Sequence, residues 1–339
     1  MNTPFDHFIG VDPAADSFTA SLYNHPTAHT FDNTTDGRAR FRHWIEQTTA
    51  ETHSTLVVVE NTGVYSEALA YELHAHGHPM AMVEPFKVWK AFGTSAPKTD
   101  ALDSQKIAEY GARYADTLTL WQPCPAIVEQ VRVLLNTREQ FVEQKTALLN
   151  MQKALARKVV QTPLADDALS ASIGQLKHQI KRLEREVRKL IESNPRTGQM
   201  LALLVTAPGV RLLLAAQLYV LTKGYTEVPG YRRLANYLGI APHRYESGTS
   251  VRRGSRSRGG GPPAVRKLLH LAARSVCVHN ASYRAYAESK QRSGKPSGLI
   301  YNNVANKLLR VLCSMLLHER AYDASYRSVQ PRLLKASEA

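Results

Sequence analysis

Cysteine is scarce in this sequence of 339 residues, which holds only Cys124, Cys277 and Cys313. Three thiols, far apart and odd in number, suggest neither a disulfide framework nor a zinc module, and they read as packing residues. No apolar run approaches the ~18 residues of a membrane span. No basic cluster precedes Asp6 at the amino terminus, so it does not read as a signal peptide, and cytoplasm is the default expectation. Acid is scarce in one part of the chain only. Residues 121–339 carry 14 acids against 35 bases, whereas residues 1–120 carry 15 acids against 8 bases. Simple solubility does not require so large a basic excess. It suits a polyanionic partner whose affinity falls steeply as salt rises, while the acidic first part suits a carboxylate metal site.

What is present begins with Lys98-Thr99-Asp100-Ala101-Leu102-Asp103, where an amphipathic helix starts. Asp100 and Asp103 share a helical face at that spacing. Taken alone, they also fit ordinary helix-start chemistry, since aspartate favours N-caps and first turns. Two further acids close predicted strands: Asp12 ends His7–Asp12, and Glu60 ends the continuous apolar run Thr55–Glu60, which reads as a strand buried on both faces. A carboxylate there needs a partner, and four gathered carboxylates would repel one another unless divalent cations compensate them. Hard oxygen donors select Mg2+, with Mn2+ possible, and a pair of such ions ~3.5–4 Å apart is a recurring device of phosphoryl transfer. The order strand-Asp, strand-Glu, helix-Asp-x-x-Asp resembles the RNase H-like (RuvC-like) nuclease fold of the Holliday-junction resolvases.

The pattern along the chain predicts a mixed α/β domain over residues 1–120. Strands are expected at Phe8–Asp12, Phe18–Tyr23, near His29–Phe31, and at Thr55–Glu60 and Met80–Glu84, with helices around Phe41–Ile45 and over Tyr65–His74. Residues 121–195 carry heptads, Ile127, Leu134, Phe141, Leu148 and Leu155, then Leu169, Ile173, Leu176, Ile180, Leu183, Val187 and Leu190. They predict a coiled-coil helical hairpin that pairs with itself or with a second copy. Lys181 and Arg185 sit on its second helix among other bases, either as a solvated face or as a grip on nucleic acid. Residues 196–326 read as mainly helical. There Ala207-Pro208-Gly209-Val210 suggests a helix-hairpin-helix turn or a plain helical turn. A glycine-rich loop over Arg244–Lys267 carries Arg244, Arg252, Arg253, Arg256, Arg258, Arg266 and Lys267 against the single acid Glu246. Residues 327–339 read as a flexible tail.

Gly10-Val11-Asp12, Val59-Glu60-Asn61-Thr62-Gly63, the Lys98–Asp103 run, Ala207–Val210, Leu238-Gly239-Ile240-Ala241-Pro242 leading to Ser247-Gly248, and Arg252-Arg253-Gly254 follow one another in order. Together they resemble the DEDD transposases of the insertion-sequence "IS one-ten" family, the bridge-RNA-guided recombinases related to the Piv-type DNA invertases. The resemblance implies a catalytic and metal-binding tetrad at Asp12, Glu60, Asp100 and Asp103, and a catalytic serine at Ser247. It implies an RNase H-like domain, a coiled coil that oligomerises or binds RNA, and a carboxy-terminal transposase domain holding the serine. Lys98 and the bases named above are the expected nucleic-acid contacts. The implied partners are an element-encoded noncoding guide RNA, donor and target double-stranded DNA, and further copies of the chain as a dimer or tetramer, in a bacterial cytoplasm at the nucleoid. Leu102, Ser104 and Arg258-Gly259-Gly260-Gly261 depart from the family's usual residues.

The expected activity is therefore Mg-dependent, RNA-guided strand cleavage and exchange through a 5'-phosphoserine link. One alternative is a structure-selective nuclease or invertase that uses the tetrad to activate water, with Ser247 an ordinary turn residue. Another is a non-catalytic coiled-coil protein that binds nucleic acid.

Overall fold

The computed structural model describes residues 4–49, 52–93, 99–247, 251–257 and 259–325, and the backbone alone for 52, 244–247 and 251–256. The chain divides into two compact units, Met1–Pro123 and Cys124–Ala339.

The first unit is built on one mixed sheet. In chain order it comprises β1 (His7–Pro13), β2 (Ser17–Leu22), β3 (Ala28–Asp32), α1 (Thr35–Thr49), β4 (Thr55–Glu60), α2 (Val64–Ala75), β5 (Met80–Val83), α3 (Pro85–Phe92) and α4 (Asp100–Tyr114). The strands lie in the order β3-β2-β1-β4-β5. β2 runs antiparallel to both neighbours, and β1, β4 and β5 are parallel. Every expected strand and helix of this part is present, and α3 is added to them.

Side-chain alternation explains the layering. Ile9, Val11, Val57 and Val59 point to one face, where they bury Phe41 and Ile45 of α1 and Leu69 and Leu73 of α2. Phe8, Leu56 and Val58 point to the other, against Ile107 and Tyr110 of α4 and Val88 of α3. The apolar run at β4 has no polar break because both of its faces are covered, as in other parallel strands.

Gly10 sets how α4 lies on the sheet. A Cβ built there would stand 2.1 Å from the Ala108 amide nitrogen and 2.2 Å from the Ser104 carbonyl oxygen. Both are backbone atoms that cannot rotate away. Gly10→Ala is therefore expected to destabilise the protein by about 3 kcal/mol, the upper end for overpacking a core, or more. Chemical denaturation checks this, and a loss below about 0.5 kcal/mol would contradict the packing described.

The second unit is mainly helical. α5 (Ala126–Leu155) and α6 (Pro163–Glu192), 30 residues each, form an antiparallel hairpin. Along it Arg138 Nε donates to Glu184 at 2.6 Å, and Gln152 Nε2 donates to Asp166 at 2.9 Å and to Ser170 at 2.8 Å. The remaining elements are α7 (Pro195–Leu204), α8 (Leu212–Leu221), α9 (Tyr231–Tyr237), β6 (Pro242–Ser247), β7 (Val251–Ser257), α10 (Pro263–His279), α11 (Ala281–Arg292) and α12 (Ser297–His318). The base of the hairpin (Val128, Val131, Leu135, Val187 and Ile191) shares one core with residues of α8, α10 and α12, such as Leu218, Val276 and Leu312. The Pro208–Gly209 turn between α7 and α8 is seated on α10, for a Cβ at Gly209 would meet Val276 Cγ1 at 2.8 Å.

One expectation is corrected here. The arginine- and glycine-rich stretch is not a plain loop: β6 and β7 pair antiparallel in it, with Tyr245 opposite Arg253 and Ser247 opposite Val251. Tyr245 and Val251 are good strand formers, but they stand alone among arginines, serines and glycines that read as loop. Among the described residues no helix is long and apolar enough to cross a membrane.

Candidate active site

Asp12 and Glu60 stand one residue beyond the last paired positions of two neighbouring parallel strands, where Val11 is opposite Val59. Laterally adjacent residues of parallel strands point the same way. The even-numbered positions Phe8, Leu56 and Val58 all face α4, and so does this pair. Both acids are half-buried.

α4 brings the other two acids toward the same end of the sheet. Thr99 caps the helix, its hydroxyl accepting from the Leu102 amide at 3.3 Å. One turn on, the Ser104 hydroxyl is hydrogen-bonded to that of Ser21 on β2 at 2.7 Å, a buried contact. Ser104 and Ala108 then cross over Gly10, and Gly111 lies over Phe8 and Val58. As residue number rises along α4, its contacts descend β1 from Gly10 to Phe8. Its first turn, with Asp100 exposed and Asp103 half-buried, therefore lies toward the end at which Asp12 and Glu60 sit. Ser21–Ser104 and Gly10 were not singled out as site residues, yet they hold α4 in this position. A glycine inside a strand pattern is the signal for such a close approach.

The acids share one sheet end without forming a closed cage. Among the described residues no three His, Cys, Asp or Glu side chains stand close enough to hold one ion. Asp103 is paired with Lys106 Nζ at 3.2 Å, a partial counter-charge on its own helix. The donor set still fits a hard divalent cation, because all four groups offer carboxylate oxygens and no softer ligand is among them. Next to this end, Asn61 Nδ2 donates to Glu84 at 3.1 Å and ties the chain after β4 to the chain after β5.

The serine lies in the other unit. Ser247 is the last residue of β6, and Arg244, Arg252, Arg253 and Arg256 occupy the same two-stranded hairpin. The feet of that hairpin are held by close backbone packing. A Cβ at Gly239 would fall 2.5 Å from the Gly260 nitrogen, and Asn302 and Asn306 of α12 both donate to the Ile240 carbonyl, at 3.0 and 2.7 Å. Arg266 donates to the Gly260 carbonyl at 2.7 Å and Lys267 pairs with Glu139 at 2.6 Å, so these two expected nucleic-acid contacts also make bonds within the chain. Burial and the neighbouring Arg266 lower the pKa of His270, which keeps that imidazole from adding charge to α10. Lys181 and Arg185 are exposed on α6. Lys98, Arg258 and the expected tail lie outside the described residues.

A DEDD-type model of the IS110 class, described as "Transposase", matches residues 9–160, and a second, described as "Transposase IS116/IS110/IS902 family", matches residues 201–288. The chain is 28% identical over 325 residues to a pilin gene-inverting protein of Moraxella lacunata, covering 93% of this chain and 97% of that protein. It is 27% identical over 157 residues, 46% of this chain and 38% of the other, to the insertion element IS110 uncharacterized 43.6 kDa protein of Streptomyces coelicolor. The solved structure of T. thermophilus RuvC in complex with Holliday junction substrate aligns to 34% of this chain and 99% of its own, at 13% identity and a TM-score of 0.27. The first match runs from the sheet through α5, the second covers much of the region after α6, and together they span more than half of the sequence; the chain belongs to the IS116/IS110/IS902 family of DEDD transposases.

Proposed function

We propose that this transposase is an RNA-guided DNA recombinase that excises and inserts its mobile element through a covalent phosphoserine link. The observation that carries the reading is the direction of α4, which runs back over Gly10 so that Asp100 and Asp103 lie toward the sheet end shared by Asp12 and Glu60. Those four carboxylates would hold Mg2+ or Mn2+, and the bound ions would supply charge neutralisation at the phosphate under attack. The Ser247 hydroxyl would act as nucleophile. Its Oγ forms a bond to phosphorus as the bond to the 3' oxygen breaks, and the proton lost by the serine ends on the new 3' hydroxyl. The phosphodiester energy is kept in the serine ester, so a second strand's hydroxyl can displace Ser247 with no energy cofactor. Arginines of the β6–β7 hairpin would offset phosphate charge and lower the barrier to that attack. Sequence choice would rest with a guide RNA and its base pairing, as in other guided systems. The hairpin of α5 and α6, with exposed Lys181 and Arg185, supplies a surface for RNA or for further copies of the chain.

A second reading is favoured by the full-length similarity to a pilin gene-inverting protein. Inversion joins two sites of one DNA molecule and needs the same cleavage and rejoining, so the chemistry assigned to the residues is unchanged. A hydrolytic variant of either reading would leave Ser247 without a role.

The guide is tested by purifying the protein from cells that carry its gene with the native flanking DNA, then assaying recombination before and after ribonuclease treatment. The expected outcome is a discrete co-purifying RNA encoded by the flank and at least a hundredfold loss of recombination on its removal. Recombination that survives complete RNA removal would overturn RNA guidance.

A further inference from the structure

α3 presents a face that nothing in the acid chemistry uses. Phe86 is 64% and Trp89 53% exposed, large values for such side chains, and their rings stack with centroids 5.6 Å apart and planes 28° apart. Lys87 and Lys90 are exposed beside them, while Val88 is buried in the core with Ala91 and Phe92 packed against it. The place is specific. β5 pairs with β4 so that Val83 is opposite Glu60, and α3 begins two residues later at Pro85. The aromatic pair therefore borders the sheet end that holds the acids. It is held there from both sides, by the Asn61–Glu84 bond at its start and by Arg113 of α4 lying 5.4 Å over the Phe92 ring at its end.

Two flat rings flanked by two ammonium groups match one ligand chemistry. A base has an apolar face to stack on and a phosphate one sugar away for a cation. A protein partner would find two adjacent lysines to desolvate, which interface cores avoid. We infer that Phe86 and Trp89 form a stacking platform for an unpaired nucleobase of the DNA strand led to the acidic end of the sheet, with Lys87 and Lys90 on its phosphates. The platform would hold a strand open beside the acids, where a fully stacked duplex would keep its phosphate out of reach. The inference rests on the DNA-processing reading only for which strand is held. Stacking and cleavage are measured separately, so each can fail alone.

The test uses the full chain with Trp44→Phe and Trp121→Phe, which leaves Trp89 as the only tryptophan, titrated with short oligo(dT) and with oligo(rU) of the same length. Saturable quenching of Trp89 emission by at least half is expected with oligo(dT), and an equal response to oligo(rU) leaves the platform intact as a base site. In the otherwise native chain, Trp89→Ala should weaken oligo(dT) binding about tenfold, ~1.4 kcal/mol, with the salt dependence unchanged. Lys87→Gln with Lys90→Gln should instead flatten the salt dependence, by ~0.7 of a logarithmic unit per lost phosphate contact. Unaltered Trp89 emission when anisotropy shows the oligonucleotide fully bound would overturn the proposal. So would quenching by oligo(rU) alone, or a Trp89→Ala change that alters only the oligomeric state.

Discussion

Asp12→Asn is expected to lower DNA strand cleavage by a hundredfold or more while leaving the fold and DNA affinity intact. The substitution keeps the size of the side chain and removes one negative charge from the end of β1, beside Glu60 on β4. A neutral amide binds a hard cation poorly, and losing one preorganised stabiliser of developing charge typically costs about 10²–10³ in rate. Asp103→Asn should act in the same direction. It also removes the partner of Lys106, so its effect on stability must be measured beside its effect on rate. Gel assays of nicking on a guide-matched substrate, paired with thermal unfolding, make the check. Wild-type cleavage by the Asp12→Asn protein would remove the acidic tetrad from the reaction.

Ser247→Ala is expected to abolish both the protein–DNA adduct and strand exchange, by on the order of 10⁴-fold or more, as loss of a nucleophile does elsewhere. Ser247 ends β6 opposite Val251, and truncating its hydroxyl leaves the backbone ladder untouched. The two substitutions separate the readings. If the acids activate water and the serine is incidental, Asp12→Asn is inactive while Ser247→Ala cleaves normally and merely releases its ends.

Much of the first unit was legible because its signals are local and strong. The run Leu56-Val57-Val58-Val59 has no polar break, and it is a strand buried on both faces. Thr99 and the two aspartates mark a helix start, and α4 begins at Asp100. The heptads of α5 and α6 announced an apolar seam, but a seam does not name its partner. The antiparallel pairing within the chain brings Arg138 to Glu184 across 46 positions, a contact that no local pattern announces. Other features were hidden because they exist only in three dimensions. Nothing local to Ser21 or Ser104 says that they meet, and Gly10 matters through a helix nearly a hundred residues away. α3 was missed as a helix because its eight residues are too short for a period to emerge. The β6–β7 hairpin was hidden by arginines and glycines that read as loop.

The covalent serine link can be captured by lysing cells that express the protein with its native flanking DNA under denaturing conditions, digesting the product with nuclease and protease, and mapping nucleotide-modified peptides by mass. A peptide carrying a nucleotide through phosphate on Ser247 is expected, absent from Ser247→Ala and from Asp103→Asn. DNA ends free of protein, together with magnesium-dependent cleavage that persists in Ser247→Ala, would contradict the serine link and make the enzyme a hydrolytic nuclease.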